Sequence, residues 1–418
     1  MIKNLLTSLL LLLNLLSYSQ ATDSELLVRE DSLRKAQNVL WEKYKKERLD
    51  DFYIELSSQN PDSILYIDMR NLGADSMPDF SKYSNLEELN ISGNKFTKLN
   101  RKSIPYASLK WIDISNNPWG KIKFRKSDSL KTIWINDTEM KKVPRQVKKL
   151  KGLEELQFEN NKLSHIPRFI KRLKNLEEVS FNFNKIELTE QDISFLKSVR
   201  IIQLVSNSIY KLPPNIGQLE NVEKLNFSQN YISELPPSFS NLKSLETLIF
   251  YRNNFDSIPN HIFILENLIE LDFYYNKLKH IPDGINKLKK LELLYLANNK
   301  IKEIPVSIKS LTSLQKLYLH HNLLITLPNW ISSLPNLKVL DVGYNKIAIL
   351  PDLSKAKSLE EVDIQSNYLS QLPWDIMDLP NLKIIYLKDN TFLLEESDAV
   401  RLRDYIEDKK GTGLRVIY

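Results

Sequence analysis

The sequence predicts an α/β solenoid, in which short repeats stack and each repeat adds one strand to a parallel β-sheet. The first observation is a period, because asparagine recurs every 23 residues at positions 161, 184, 207, 230, 253, 276, 299, 322 and 345. The second is the alternation of apolar and variable residues before each asparagine, as in Leu294-Tyr295-Leu296. A fixed period of roughly 20–29 residues with this alternation is typical of repeats that bury an apolar face only by stacking.

Each part of the repeat has a physical reason. In a strand, successive side chains point to opposite faces, so Leu294 and Leu296 are expected in the core and Tyr295 on the exposed face. The asparagine amide can donate to and accept from backbone groups that the turn after the strand leaves unpaired. A proline after an apolar residue, as in Ile304-Pro305, removes a backbone donor and suits an edge without sheet pairing.

This pattern resembles the leucine-rich repeat family, in the form that continues as Leu-Pro-x-x-Ile-x-x-Leu. The resemblance covers residues 64–390, about 15 repeats, and implies a horseshoe with the parallel sheet on its concave face. It also implies that the asparagines form a structural ladder. The predicted ladder is Asn94, Asn117, Asn161, Asn184, Asn207, Asn230, Asn253, Asn276, Asn299, Asn322, Asn345, Asn367 and Asn390.

Segments outside the repeats predict a leader and two caps. Residues 1–19 combine Lys3, an apolar run and small residues, which is the pattern of a secretory signal peptide. Residues 22–62 predict an amino-terminal helical cap of one or two helices, in which the apolar residues Leu33, Ala36, Leu40 and Tyr44 are spaced by three or four. The solenoid proper is expected over residues 63–390.

Residues 391–418 predict the carboxy-terminal cap. A helix is expected from Glu395 to Asp408 with Val400, Tyr405 and Ile406 facing inward, followed by a last strand near residues 414–418.

Cysteine is absent from the 418 residues, which excludes thiol catalysis and disulfide-stapled caps. Together with the signal pattern, this favours a bacterial protein that is secreted or extracytoplasmic, in the periplasm or at the cell surface. The sequence has no glycine-rich phosphate loop and no set of catalytic residues in a recognisable context. We therefore expect a protein that is not an enzyme and has no cofactor and no metal.

The exposed positions of consecutive strands predict a binding patch. Neighbouring strands lie about 4.8 Å apart, so five repeats give a patch roughly 20 Å across. Small residues Ala297 and Gly343 between large neighbours predict shallow dents. The residues expected in the patch are Tyr251, Arg252, Asp272, Tyr274, Tyr275, Tyr295, Tyr318, His320, His321, Asp341 and Tyr344.

Tyrosine-rich patches of this kind are typical of protein interaction sites, so we expect a protein or peptide partner. Two alternatives remain open. The tyrosines could stack on a carbohydrate, or they could stack on one another without any ligand in a protein that serves as an envelope spacer. Trp111 and Trp134 predict a weaker second patch.

Basic residues crowd the outer side of the fourth and fifth repeats, although the net charge of the chain is only +6. Such a patch can bind phosphates or an anionic membrane, or it can simply solubilise the repeats. Aromatic residues are not interleaved there, which argues against nucleic acid. The patch consists of Lys141, Lys142, Arg145, Lys148, Lys149, Lys151, Arg168, Lys171, Arg172 and Lys174.

Overall fold

The computed structural model describes residues 23–392, 396–409 and 413–418, which form two compact units. The first unit comprises residues 23–161 and 172–176, and the second comprises residues 162–171 together with the described residues from 177 onward. The predicted signal segment 1–19 lies outside the described residues. Within them, no helix is both long enough and apolar enough to span a bilayer.

The first unit contains one long helix, α1 (Asp23–Ser58), and seven short strands. Strands β1, β2, β4, β6 and β7 pair in parallel in that order, and β3 pairs with β5 in a separate two-stranded sheet. The central residues of the larger sheet, such as Leu89 and Ile112, are completely buried. The strands are β1 (Tyr66–Asp68), β2 (Glu88–Asn90), β3 (Lys98–Leu99), β4 (Trp111–Asp113), β5 (Lys121–Ile122), β6 (Thr132–Trp134) and β7 (Glu155–Gln157).

Helix α1 is single and continuous, where the sequence predicted one or two helices. Glu42 contacts Lys95 of the second repeat at 2.9 Å, which ties the middle of the helix to the solenoid. Of the apolar residues at helical spacing, Ala36 is exposed and Leu40 and Tyr44 are half-buried. Lys45 of the same helix lies beside Gly73, so two charged side chains of the helix contact the first two repeats.

The second unit contains eleven strands that pair in parallel in chain order. They are β8 (Glu178–Ser180), β9 (Ile201–Gln203), β10 (Lys224–Asn226), β11 (Thr247–Ile249), β12 (Glu270–Asp272), β13 (Leu293–Tyr295), β14 (Lys316–Tyr318), β15 (Val339–Asp341), β16 (Glu361–Asp363), β17 (Ile384–Tyr386) and β18 (Arg415–Ile417). The predicted α/β solenoid is confirmed, since successive repeats each add one strand to a parallel sheet and bury their leucines between repeats.

Three helices and a series of 3-10 turns connect the strands of the second unit. The helices are α2 (Glu190–Leu196), α3 (Trp374–Met377) and α4 (Glu396–Lys409). Most of the turns begin directly after the predicted edge prolines, whose fixed φ suits the start of a helical turn. They are Ile216–Gln218, Pro237–Asn241, Asn260–Ile264, Asp283–Lys287, Val306–Ser310 and Asn329–Ser333, with Pro61–Ser63, Arg145–Lys149 and Arg168–Arg172 earlier in the chain.

The carboxy-terminal helix and strand form as the sequence predicted, but the helix buries a different face at its start. Strand β18 pairs with β17, and Tyr405 of α4 donates a hydrogen bond of 2.5 Å to the carbonyl oxygen of Met377. Val400, expected to face inward, is 41% exposed, and Leu402 is the buried residue instead. A helix turns 100° per residue, so a shift of two positions moves a side chain from one face to another.

The asparagine ladder is present. Asn299 illustrates it: its Nδ2 donates to the carbonyl oxygens of Phe273, Leu296 and Ala297 at 2.9–3.1 Å, and its Oδ1 accepts from the Leu278 amide at 2.9 Å. Asn94 and Asn390 at the two ends of the series make the same kind of contacts. Each amide therefore pairs backbone groups of its own repeat and of the preceding one.

Directly before each ladder position the backbone turns left-handed, which the sequence did not reveal. The residues there have φ between 47° and 66° and include side chains as large as Phe183, Arg252 and Tyr344. Left-handed backbone costs a non-glycine residue roughly 1 kcal/mol. The cost recurs at every repeat because the turn that aims each asparagine inward requires it.

Candidate functional site

The candidate site is the exposed face of strands β11 to β16 in the second unit, with the residues that follow each strand. The strands pair in register, so Asp272 faces Tyr295, Tyr295 faces Tyr318, and Tyr318 faces Asp341. This row continues from Asp341 to Asp363. It therefore consists of two tyrosines with carboxylates on both sides.

Tyr295 and Tyr318 stack face to face. Their ring centroids are 4.9 Å apart and their planes differ by 4°. Partial burial raises the pKa of Tyr295 to about 12, and nearby carboxylates, including Glu270, add to the effect. The pKa of Tyr318 is raised for the same reason. Both hydroxyls therefore stay protonated and can donate hydrogen bonds at neutral pH.

A second cluster surrounds Arg252 at the amino-terminal side of the patch. The rings of Tyr251, Tyr274 and Tyr275 lie 4.7–5.8 Å from one another. The Arg252 guanidinium lies 5.4 Å from the centre of the Tyr251 ring and 4.8 Å from that of Tyr275. These cation–π distances hold the arginine against the aromatic rings rather than free in solvent.

His320 links the two parts of the patch. One ring nitrogen lies 2.6 Å from the Asp341 carboxylate, and the other lies 3.1 Å from the Tyr274 hydroxyl. Tyr274 and His320 belong to repeats on either side of Ala297, which is buried beneath them. The predicted dent at Ala297 is therefore wrong, because side chains from both sides lean over the small residue.

The dent predicted at Gly343 is also filled. A Cβ atom at Gly343 would lie 2.8 Å from the Asp363 carboxylate, so this carboxylate occupies the space. Beside it, His321 and Tyr344 stack with ring centroids 4.1 Å apart. Burial lowers the pKa of His321, which favours its neutral form. All eleven predicted patch residues thus lie on one surface, but that surface lacks the predicted dents.

Two carboxyl groups of the patch have strongly altered acidity. Burial raises the pKa of Asp272 to about 7 and that of Asp363 to about 6, with neighbouring carboxylates adding to both. Asp363, together with its partner Gln365, was missed by the sequence analysis. Extending the row by one more repeat would have found it, since Asp363 occupies the same repeat position as Asp341.

Within the residues that the structure describes, no three His, Asp or Glu side chains are placed to hold a metal ion. In the first unit, Trp111 and Trp134 do meet, edge to face with ring centroids 5.0 Å apart. The Trp134 indole donates to Glu155 at 3.1 Å. Both rings are half-buried, so this pair presents less aromatic surface than the patch of the second unit.

The stacked repeats place this protein in the solenoid class, and its parallel sheet presents tyrosines on the exposed face. Models of the leucine-rich repeat match residues 85–106, 197–255 and 248–301, and a model of two leucine-rich repeats matches residues 312–355. The chain belongs to the leucine-rich repeat proteins. A search of curated protein sequences finds no significant match.

Solved structures resemble the chain over more of its length than the family models match. A leucine-rich repeat protein of Leptospira interrogans is 27% identical, with a TM-score of 0.72 over 86% of this chain and 97% of that one. An internalin of Listeria monocytogenes is 18% identical, with a TM-score of 0.57 over 85% and 87% of the two chains. The plant peptide hormone receptor RGFR1, solved in complex with RGF2, is 22% identical with a TM-score of 0.55, over 76% of this chain and 50% of that one.

Proposed function

We propose that the chain is a non-enzymatic recognition protein, whose tyrosine-rich sheet face in the second unit binds an extended segment of a protein or peptide. The observation that carries this proposal is the parallel stack of Tyr295 on Tyr318 between carboxylates. Each tyrosine already covers a face of the other, so the pair turns ring edges and hydroxyl groups outward. Edges and hydroxyls suit the polar backbone and side chains of a peptide.

The charge around the stack favours a basic segment. Glu270 and Asp272 lie on one side of the pair, and Asp341, Glu361 and Asp363 lie on the other. A lysine or arginine of the partner would lie between these carboxylates and pair with them. The proposed ligand is therefore a peptide segment that presents a cationic side chain to Tyr295 and Tyr318.

Carbohydrate binding is less well supported by this geometry. A sugar stacks on an open aromatic face, whereas Tyr295 and Tyr318 cover each other and His321 lies against Tyr344. A purely structural spacer would not need carboxylates placed beside aromatic rings, because burial without pairing costs each carboxylate free energy. A glycan array probed with the purified chain separates the carbohydrate alternative from peptide recognition.

Selection from a displayed library of random peptides tests the proposal. We expect the purified chain to enrich peptides with lysine or arginine, and the double substitution Tyr295→Ala and Tyr318→Ala to abolish their binding. The matched control is Tyr210→Ala with Tyr231→Ala, which removes another exposed stacked pair, 4.7 Å apart, elsewhere in the second unit. Equal binding by both variants would contradict the proposal.

We also infer an extracytoplasmic setting, secreted or at a bacterial surface. The apolar segment at residues 5–16 and the complete absence of cysteine support it. Fractionation of cells that express the chain, with an antibody to the second unit, tests this inference. Recovery of the chain in the cytoplasmic fraction alone would contradict it.

A further inference from the structure

The first unit contains a cleft that is lined only by basic side chains. Its volume is about 580 Å³, which is within the range that holds a short stretch of a chain ligand. Four of its residues belong to the basic group noted in the sequence, and three come from earlier repeats. The lining residues are Arg101, Arg125, Lys126, Lys148, Lys149, Lys151 and Arg172.

Backbone pairing brings these side chains together. Strands β3 and β5 pair in parallel, so the segments that follow them, which carry Arg101 and Arg125, run side by side. Ser127 is then held beside Lys149 and Lys151 by two backbone hydrogen bonds of 3.3 and 2.8 Å. The cations other than Arg172, which belongs to the next repeat, therefore project from three adjacent repeats whose backbones are fixed to one another, rather than from free loops.

The positive charge of the cleft is largely uncompensated. Residues 95–104, 118–129 and 140–151 contain fourteen lysines and arginines and a single carboxylate, Asp128. That carboxylate lies 3.5 Å from Lys126. In the described part of the chain, no carboxylate oxygen lies within 4.0 Å of the charged groups of the other six lining residues. Repulsion among these cations disfavours the empty cleft, so a polyanion that enters it gains binding energy from each of them.

The chemistry of the lining narrows the class of polyanion. Arginine forks pair with two oxygens of a sulfate or phosphate group at once. The lining contains no aromatic ring on which a nucleic acid base could stack, and no apolar side chain that could enter a bilayer. We propose that this cleft binds an anionic polysaccharide that carries sulfate or phosphate esters. The site is separate from the tyrosine patch and does not depend on the function proposed for it.

Binding of heparin, a sulfated polysaccharide, to the purified full chain tests this site. The cleft variant combines Arg101→Gln, Arg125→Gln and Lys149→Gln. The control variant makes the same change of charge on exposed lysines of the second unit, with Lys287→Gln, Lys302→Gln and Lys309→Gln. We expect affinity to fall with rising salt, to drop about tenfold or more in the cleft variant, and to change less than about twofold in the control.

Three outcomes would overturn the proposal. Equal losses in the cleft and control variants would mean that heparin responds only to total charge. Equal binding of hyaluronan, whose only anions are carboxylates, would remove the claim for sulfate or phosphate esters. Tighter binding of phosphatidylglycerol vesicles or duplex DNA through the same three residues would assign the cleft to a membrane or to nucleic acid. Circular dichroism melts of each variant establish that it is folded.

Discussion

The side-chain amide of Asn299 donates a hydrogen bond of 2.9 Å to the carbonyl oxygen of Phe273, which belongs to the preceding repeat. The same amide pairs with two carbonyls of its own repeat and with the Leu278 N–H, and the residue is almost fully buried. Asn299 is the hydrogen-bond partner of the Leu278 N–H. Its amide shares the three carbonyls with the Tyr275 N–H and with the ladder amides of Asn276 and Asn322. These shared bonds hold successive strands in register. The register in turn sets the spacing of the tyrosine patch.

The substitution Asn299→Ala tests the ladder. It leaves the buried Leu278 N–H without a partner and removes one of the hydrogen bonds to each of three carbonyls, so we expect a loss of about 1–3 kcal/mol in the free energy of unfolding. Chemical denaturation measures this loss. The control is Asn254→Ala, whose side chain accepts a hydrogen bond from the exposed Lys277; this change should cost less than about 0.5 kcal/mol. Equal costs at the two asparagines would contradict a structural ladder.

A substitution at Ser366 tests whether the left-handed turn before each ladder asparagine is strained. Its φ is 51°, so Ser366→Gly removes strain, and we expect a stability gain of about 0.5–1 kcal/mol. Ser313 is not left-handed, and Ser313→Gly should instead cost about 0.5–1 kcal/mol. Thermal melts of the two variants compare the positions. A loss of stability at both would argue against backbone strain at Ser366.

Asp272 should make stability depend on pH. An unfolded aspartate ionises near pH 4, whereas burial raises the folded pKa of Asp272 to about 7. The folded chain therefore binds more protons in this window, and stability should fall by on the order of 2 kcal/mol as pH rises from 4 to 7. Asp272→Asn should flatten the profile and stabilise the chain at pH 7.5, as measured by urea denaturation. Asp283→Asn, at an exposed turn, serves as the control; an unchanged profile in Asp272→Asn would refute the assignment.

The same ionisation should control binding of a basic peptide. Asp272 and Asp363 gain negative charge as pH rises through about 7 and about 6, so a peptide selected for lysine or arginine should bind more tightly at pH 8 than at pH 5.5. Fluorescence anisotropy at matched ionic strength measures the difference. The pH dependence should shrink in a variant with Asp272→Asn and Asp363→Asn. Tighter binding at low pH would contradict the role given to these carboxylates.

The fold was predictable from sequence because buried leucines and asparagines recur at fixed spacing, and the repeat has no other way to bury them. The membership of the patch was predictable for the same reason, since register follows from the period. The filling of the two expected dents was not predictable, because it depends on how Tyr274, His320 and Asp363 lean across neighbouring repeats. The left-handed turn was also hidden, because residues as different as Arg252 and Ser366 occupy it.

Photo-crosslinking tests the binding face most directly. Tyr344 lies within the patch and is 43% exposed, and Tyr210 lies elsewhere in the second unit and is 58% exposed. Each is replaced in turn by p-benzoylphenylalanine, a conservative change at an exposed tyrosine. The selected basic peptide should crosslink to position 344 and not to position 210. Crosslinking at position 210 alone, or equally at both positions, would contradict recognition by the tyrosine-rich sheet face.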